Sequence, residues 1–514
     1  MSPRVALLIP GAKDDAAVRR TVASVRRQDC ADVEVVCGGR VPWFLRRRAR
    51  ATTAEVPAEP DRAPRLRDGD GRAWQLEAAR RETAAEWVGV LAPGDELEPG
   101  ALRAVLMMLD HAPDLDVLYT DEQWAAQGAD GIAKKPDWVP HYLAGYPYLG
   151  RLTLLRSELL ERAGGFRAGF EGAVEWDAHL RVTELTDRIG HLPVIAVTRT
   201  NPPRTDAAAV ASGRRALAGR VARSGRPGTV ETTAVPMGFR LWWEVAEPPL
   251  VSVIMPTAGG RRTVRGVDTV LVEQAARSLV ERTAYPAWEL VLVTSEHTPA
   301  DVVPRIRDLL GDRLVEAPIP GRFSFSASVN EGARVARGSH LLLLNDDTEA
   351  IEPRWLDRMV SVAAEGGDGR VGAVGAKLLY EEGTIQHVGI IVDDKGTPIH
   401  PLGSETDGLG RFGTKELDMD YLAVTGACLL TPADVFREVG GFTPDLPLNF
   451  NDIDYCLKVV ATGRAVVSTP FARLHHFESS TRGHALEPWE QGYLDTHWRV
   501  RLGNDPHVQY RSVL

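Results

Sequence analysis

At 514 residues, with 44% hydrophobic and 25% charged residues, the chain has the composition of a soluble globular protein of roughly two to four domains. A net charge of -10 and the lack of a basic stripe exclude a general nucleic-acid binder, and no apolar run reaches the ~18–20 residues of a spanning helix. Four cysteines without CxxC spacing exclude a disulfide framework and a zinc site; a strand-like start in place of a signal peptide then predicts a reduced, cytoplasmic protein.

The N-terminal half opens with a strand at Val5–Ile9, then Pro10-Gly11, a helix near Ala16–Arg27 and a strand at Val33–Val36, the spacing of a βαβ unit. The basic run Arg46–Arg50 reads as a solvated helix face, with an anionic membrane surface as the alternative partner. Trp87–Leu91 is a buried strand ending in Ala92-Pro93-Gly94-Asp95-Glu96, and Asp116–Thr120 is another ending in Asp121-Glu122. Gly164-Gly165-Phe166 precedes a helix opened by Glu175-Trp176-Asp177 and a strand around Pro193–Val197. Residues 200–248 differ: a Pro-rich loop, an Ala/Arg helix from about Asp206 to Arg223, then Gly-Arg-Pro-Gly mark a domain boundary. Trp242 and Trp243 are expected to pack this linker onto a domain face.

The second half repeats the first. Val251–Met255 with Pro256-Thr257 matches Val5–Ile9 with Pro10-Gly11, and Glu289–Val293 matches Glu34-Val35-Val36. Leu341–Leu344 matches Trp87–Leu91, so Asn345-Asp346-Asp347 falls on Ala92-Pro93-Gly94. Gly440-Gly441-Phe442 matches Gly164-Gly165-Phe166, Asn451–Asp454 falls on Val174–Asp177, and His475-His476 falls near Val197-Thr198. This is one α/β domain present twice, with the polar residues suited to a metal only in the second copy.

Four leucines followed by Asn345, Asp346 and Asp347 describe a buried parallel strand that delivers acids to the carboxyl edge of an open sheet, where such folds bind ligands. Asp347 and His476 offer a hard oxygen and an imidazole nitrogen, a mix suited to Mn²⁺ or Mg²⁺. Asp452 and Asp454 open a helix, where N-capping is the competing reading of each taken singly. His475-His476 taken singly reads as a loop pair.

The segments VSVIMPTA (251–258), TAYPAWELVLV (283–293), FSASVNEGARVARGSHLLLLNDDTE (325–349), TIQHVGI (384–390), VTGACLL (424–430), VGGF (439–442), NFNDIDYCLKV (449–459) and LHHFESSTRG (474–483) come in the order and spacing of one family. The second half resembles family 2 glycosyltransferases of the GT-A fold. Among these it is most like the bacterial rhamnosyl- and galactofuranosyl-transferases of cell-surface polysaccharide assembly. The resemblance implies two tandem GT-A domains, α/β with mostly parallel sheets. Their expected bounds are 1–205 for a degenerate copy, 206–248 for a helical linker, 249–485 for the catalytic domain and 486–514 for a tail packed on both.

The same resemblance assigns roles. Pro256, Thr257, Asn330, Asn345 and Asp346 would face the nucleotide donor. Glu296 would stand in for the displaced acid after the second strand, and Arg482 would lie in a loop closing over the diphosphate. Asp347 and His476 would hold Mn²⁺ or Mg²⁺, Asp452 would be the catalytic base, and Asp454 and His475 would support them. The implied reaction is inverting transfer from a UDP- or dTDP-sugar to a glycan or lipid-linked glycan. The setting would be the inner membrane face, with peripheral membrane contact and a homo-oligomer through the N-terminal domain left open. A non-catalytic glycan-binding scaffold, a nucleotidyltransferase and a natural-product acceptor are the alternatives. The first half shares LAPGDEL (91–97), AGGFRAGFEGAVEWD (163–177) and HLPVI (191–195) with the family, yet lacks an acid at the metal position as aligned.

Overall fold

The computed structural model describes residues 3–11, 15–28, 30–38, 71–125, 131–321, 323–365, 370–478 and 488–507. Arg482, Arg46–Arg50 and the last residues of the expected tail lie outside them. Among the described residues no helix is long and apolar enough to cross a membrane.

The first sheet is built from β1 (Val5–Pro10), β2 (Val33–Gly38), β3 (Trp87–Val90), β4 (Glu96–Leu97), β5 (Val117–Trp124), β6 (Ile132–Ala133), β7 (Leu154–Arg156) and β8 (Ile189–Arg199). A hairpin of β9 (Gly228–Thr232) and β10 (Phe239–Trp243) follows. The second half then adds β11 (Val251–Thr257), β12 (Arg261–Val264), β13 (Val267–Val270), β14 (Trp288–Thr294), β15 (Leu314–Pro318), β16 (His340–Leu344), β17 (Thr348–Ala350) and β18 (Val371–Leu379). It ends with β19 (Ile385–His387), β20 (Ile391–Val392), β21 (Pro398–Ile399), β22 (Met419–Asp420), β23 (Cys428–Pro432) and β24 (Ala465–His476).

The strand order of the first sheet, β2-β1-β3-β7-β5-β8-β4, recurs in the second as β14-β11-β16-β23-β18-β24-β17, with β15 added at the edge. Each pairing also keeps its sense: β1–β2, β1–β3 and β5–β8 are parallel, as are β11–β14, β11–β16 and β18–β24. The repeat read from the sequence is therefore a repeat of topology. The sheets are mixed rather than mostly parallel, because β7 and β23 run against their neighbours. A parallel strand needs a crossover, usually a helix, whereas Cys428–Pro432 enters directly from a loop at the carboxyl edge and so runs back.

Burial explains the unbroken apolar runs. Every residue of VSVIMPT in β11 is buried, since helices cover both faces of the sheet. On one side Val251, Val253 and Leu342 pack with the helices Leu271–Arg282 and Trp355–Ala363; on the other Ile254, Leu341 and Leu343 pack with Phe325–Val335 and Asn451–Ala461.

The segment expected as a helical linker is a helix plus a hairpin. Asp206 caps the helix Ala207–Arg223, its carboxylate accepting from the main-chain N–H groups of Ala208 and Ala209. In β10 the alternation buries Phe239, Leu241 and Trp243, a period-two pattern that makes a strand. Trp242 lies under the guanidinium groups of Arg354 and Arg358. The two halves share an apolar cluster in which Tyr142, Trp176, Leu217 and Phe239 meet Leu417, Met419 and Tyr421.

Candidate active site

β16 ends at Leu344, and the chain turns through Asn345-Asp346-Asp347 into β17, which pairs antiparallel with the end of β24. That register sets Thr348 opposite His476, and the N–H of Phe477 donates to the carbonyl of Asp347. Asp347 Oδ1 consequently lies 3.0 Å from His476 Nε2. Asn345 adds its side-chain amide 3.3 Å from the same nitrogen. Both Asp347 and His476 are buried.

The imidazole is held from behind by Gln386 in β19. Gln386 Oε1 lies 2.5 Å from His476 Nδ1, and its amide nitrogen donates to the carbonyl of His476 at 3.4 Å. An Nδ1–H donated to Gln386 leaves the Nε2 lone pair facing Asp347, the orientation a metal ligand needs. A carboxylate and an imidazole converging at 3.0 Å, backed by a fixed amide, fit a hard divalent cation with its other positions open to water and phosphate.

Asp346 turns the other way, accepting from Thr257 Oγ1 at 2.6 Å. Burial and the adjacent Asp347 charge push its carboxyl up to about 7, against the hydrogen bond from Thr257. Thr257 and Pro256 are buried at the end of β11, and Thr298 reaches across to donate to the Thr257 carbonyl. Glu296, just beyond β14, is exposed and lies 3.9 Å from His297. His475 points away from His476 and has its Nδ1 3.1 Å from the Tyr380 carbonyl. Both histidines belong to β24 and not to a loop.

Phe450 adopts φ 57°, ψ 5°, a left-handed conformation unusual for an aromatic residue, and so turns the chain into the helix Asn451–Ala461. Asp452, second in that helix, is partly exposed and accepts from the Gly426 N–H at 2.9 Å. Asp454 is 1% exposed and fully engaged by Thr443 Oγ1 at 2.6 Å, Trp498 Nε1 at 2.8 Å and Lys458 at 3.1 Å. Of the two acids, Asp452 alone keeps access to solvent. The Gly426-Ala427 dipeptide ties the pieces together, for the Ala427 carbonyl accepts from the Asn345 N–H at 3.0 Å while Gly426 holds Asp452.

Asn330, expected to face the donor, is bonded to the Gly-Gly-Phe turn. Its amide nitrogen donates to the Phe442 carbonyl at 2.8 Å and its oxygen accepts from the Phe442 N–H at 2.9 Å. Each end of the amide thus makes one bond to the Gly-Gly-Phe turn, which Asn330 clamps. Gln386 was given no role by sequence, although it lies in the TIQHVGI segment; a lone Gln among buried apolar neighbours was the signal.

The first copy carries the same frame with different chemistry. β4 pairs with β8 so that Glu96 faces Thr198, making Thr198 the counterpart of His476 and Asp95 that of Asp347. Four residues lie between Leu91 and β4 where three lie between its match Leu344 and β17, which is why alignment from the strand placed Gly94 there. Asp95 Oδ2 accepts from Arg151 Nε at 3.1 Å, and Arg151 Nη1 donates to Glu175 at 2.7 Å. Arg151 stands where Ala427 stands in the second copy, and its guanidinium fills the space between the two acids. Arg72 adds a second cation on Glu175 at 2.5 Å, and these arginines hold that carboxyl well below its usual range against the cost of its burial. With its acids neutralised by a tethered cation, this copy does not fit a divalent ion.

The two mixed α/β sheets, and a carboxylate–imidazole pair on the carboxyl edge of the second, define a GT-A-like domain behind an N-terminal α/β domain. Residues 248–488 match the family described as "Glycosyltransferase like family 2". This half of the chain is accordingly a family 2 glycosyltransferase domain. The "Uncharacterized protein y4gI" of Sinorhizobium fredii is 34% identical over 465 residues, covering 86% of this chain and 50% of that protein. The "O-antigen biosynthesis protein RfbC" of Myxococcus xanthus is 33% identical over 503 residues, covering 93% of this chain and 38% of that protein. The chain thus spans half or less of the length of these relatives. Among solved structures, a mannosyltransferase from Pyrobaculum calidifontis in complex with GDP-Man and Mn²⁺ overlaps with a TM-score of 0.35 at 16% identity, over 60% of this chain and 78% of that one.

Proposed function

We propose that the second domain transfers a sugar from a nucleoside-diphosphate sugar to a hydroxyl of a glycan or lipid-linked glycan, with inversion, in cell-surface polysaccharide assembly such as that named for the Myxococcus relative. The observation that carries this reading is the shared Gly426-Ala427 anchor. One dipeptide fixes both the loop bearing Asp347 and the solvent-facing Asp452, a cation site and a base on one sheet edge.

Asp347 and His476 Nε2 would hold Mn²⁺ or Mg²⁺, which when bound neutralises charge on a departing diphosphate. Pro256 and Thr257 shape the nucleotide end of the cleft, and the Thr257–Asp346 hydrogen bond holds the turn between them. Asp452 accepts the acceptor's hydroxyl proton as that oxygen bonds to the anomeric carbon and the bond to the diphosphate oxygen breaks. Such a base contributes about 10²–10⁴-fold. Displacement from the face opposite the leaving group is a single step, so configuration inverts. Donor is expected among UDP- and dTDP-sugars, at the cytoplasmic face of the membrane.

A donor screen reading released nucleoside diphosphate, with Mn²⁺, Mg²⁺ or EDTA, tests this directly. Release that is indifferent to EDTA removes the cation from the mechanism. A product retaining the donor's anomeric configuration, read by proton NMR coupling, removes the single displacement.

A further inference from the structure

The N-terminal domain contains a cavity of about 1070 Å³ that the proposed chemistry leaves unused. One wall belongs to the second domain, through the segment 409–413. We propose that this cavity is a metal-independent binding site for a neutral oligosaccharide.

The cavity opens over the sheet edge that carries the acids in the second copy, and reaches from there away from the strands on which the nucleotide would sit. The proposed donor residues Pro256, Thr257 and Glu296 lie on or just after β11 and β14, whose counterparts in the first sheet are β1 and β2. β1 and β2 themselves contribute no residue to the cavity wall, which is drawn from the loop after β3 (Ala92, Pro93, Asp95), the end of β5, the segments 133–136 and 142–151, Glu175, and 199–205. This step rests on the donor assignment made above.

The lining is suited to sugar rings. Trp124 and Phe412 bring their rings to 5.5 Å from one another across the domain seam, and the half-buried Tyr146 covers the buried Tyr142 at 5.6 Å. Flat aromatic faces take the C–H faces of a pyranose, while hydroxyl groups at the ring edge seek fixed planar donors and acceptors. The buried part of the wall supplies these as closed ion pairs, with the exposed Arg20 and Arg204 at its margin. Arg151 bridges Asp95 and Glu175, and Glu122 holds Arg199 at 2.6 Å and Lys135 at 3.6 Å. Cations already committed to carboxylates offer little to a phosphate, but their remaining N–H groups and lone pairs serve neutral hydroxyls.

Two donors point to a missing acceptor. Arg199 is 7% exposed, yet its Nε has no hydrogen-bond partner among the described residues, and neither has Trp124 Nε1. Buried donors are rarely left so, and ligand hydroxyl oxygens would satisfy them. The far wall is held under strain: Phe412 sits at φ 54°, fixed by a hydrogen bond from Tyr142 Oη to its carbonyl at 2.8 Å. Strained residues of this kind concentrate at ligand sites.

The test uses the full chain on an array of hexose, deoxyhexose and amino-sugar oligosaccharides in EDTA, with UDP and dTDP as competitors. The expected result is retention of at least one oligosaccharide, unaffected by either nucleotide and by Asp347→Ala. That retention should fall about tenfold or more in both Trp124→Ala and Arg199→Met. Circular dichroism and metal-dependent release of nucleoside diphosphate should match wild type in both variants, which separates this site from the donor cleft. No retention in EDTA overturns the proposal, as does retention that both variants preserve. Displacement by UDP or dTDP assigns the cavity to a nucleotide instead. Loss of EDTA-sensitive donor release in the wild-type chain would overturn the proposed transfer while leaving the array result to stand alone.

Discussion

His141 Nδ1 and Asp420 Oδ1 meet at 2.5 Å across the seam between the two domains. The imidazole is buried, and its other nitrogen faces Glu365 at 3.6 Å. Burial alone would lower its pKa, but the charges of Asp420 and Glu365 outweigh this and push it up to about 9. A folded pKa above the unfolded value of about 6.5 adds stability that is full below pH ~6.5 and is lost as pH rises through ~9. Thermal melting followed from pH 6 to pH 10 should therefore show a decline worth on the order of 3 kcal/mol, and His141→Gln should flatten it. A variant with the same alkaline slope as wild type would place the titration elsewhere.

Removing the support behind the histidine should weaken a cation without abolishing it. Gln386→Leu keeps bulk but loses the acceptor on His476 Nδ1, freeing the ring to turn or change tautomer. Losing such a partner typically reduces metal affinity by about 10–100-fold. Asp347→Ala, which deletes a ligand, should abolish Mn²⁺-dependent nucleotide binding. Calorimetry of Mn²⁺ with UDP or dTDP distinguishes the two, and equal affinities in wild type and Asp347→Ala would refute the assignment.

Asp452→Asn should separate binding from turnover. The amide keeps the size of the side chain and an oxygen to accept from Gly426, but it cannot take a proton. Donor binding should persist while transfer falls by at least ~10²-fold. Asp454→Asn should behave differently, lowering stability through its bonds to Thr443, Trp498 and Lys458. If Asp452→Asn turns over normally and Asp454→Asn folds but is dead, the base is Asp454.

Arg151→Met should destabilise the first domain, since Asp95 would lose its close cation in a buried setting and Glu175 would keep only Arg72. Breaking one partner of a buried ion network commonly costs about 3–5 kcal/mol. A chemical denaturation curve of the intact chain should show that loss, with EDTA-sensitive donor release unchanged below the transition.

Much of this was legible in the residues. HLLLL followed by NDD announced a buried strand with acids at its end, and the recurring Gly-Gly-Phe and strand segments announced the repeat. Strand direction was not legible, because Cys428–Pro432 has the same apolar pattern whichever way it runs. The pairing of Asp95 with Asp347 was hidden by a one-residue difference in loop length that only the β4–β8 register resolves. Arg151 and Gln386 act through partners 24 to 90 positions away, and no local pattern encodes such contacts. The clamp that Asn330 makes was hidden for the same reason: its partner Phe442 lies 112 residues on.

The shared cluster at the seam has a practical consequence. Tyr142 and Trp176 from one half, Phe239 from the hairpin and Leu417, Met419 and Tyr421 from the other form one continuous apolar body. The far end of the chain locks over it, with the Asp137 N–H donating to the Pro506 carbonyl and the Val392 N–H to Asp505. Cutting near residue 205 would leave each fragment with a raw hydrophobic wound and buried charges such as His141 stripped of their partners. Two copies of one strand order are thus joined through a common interior, and a fragment carrying either alone is expected to aggregate.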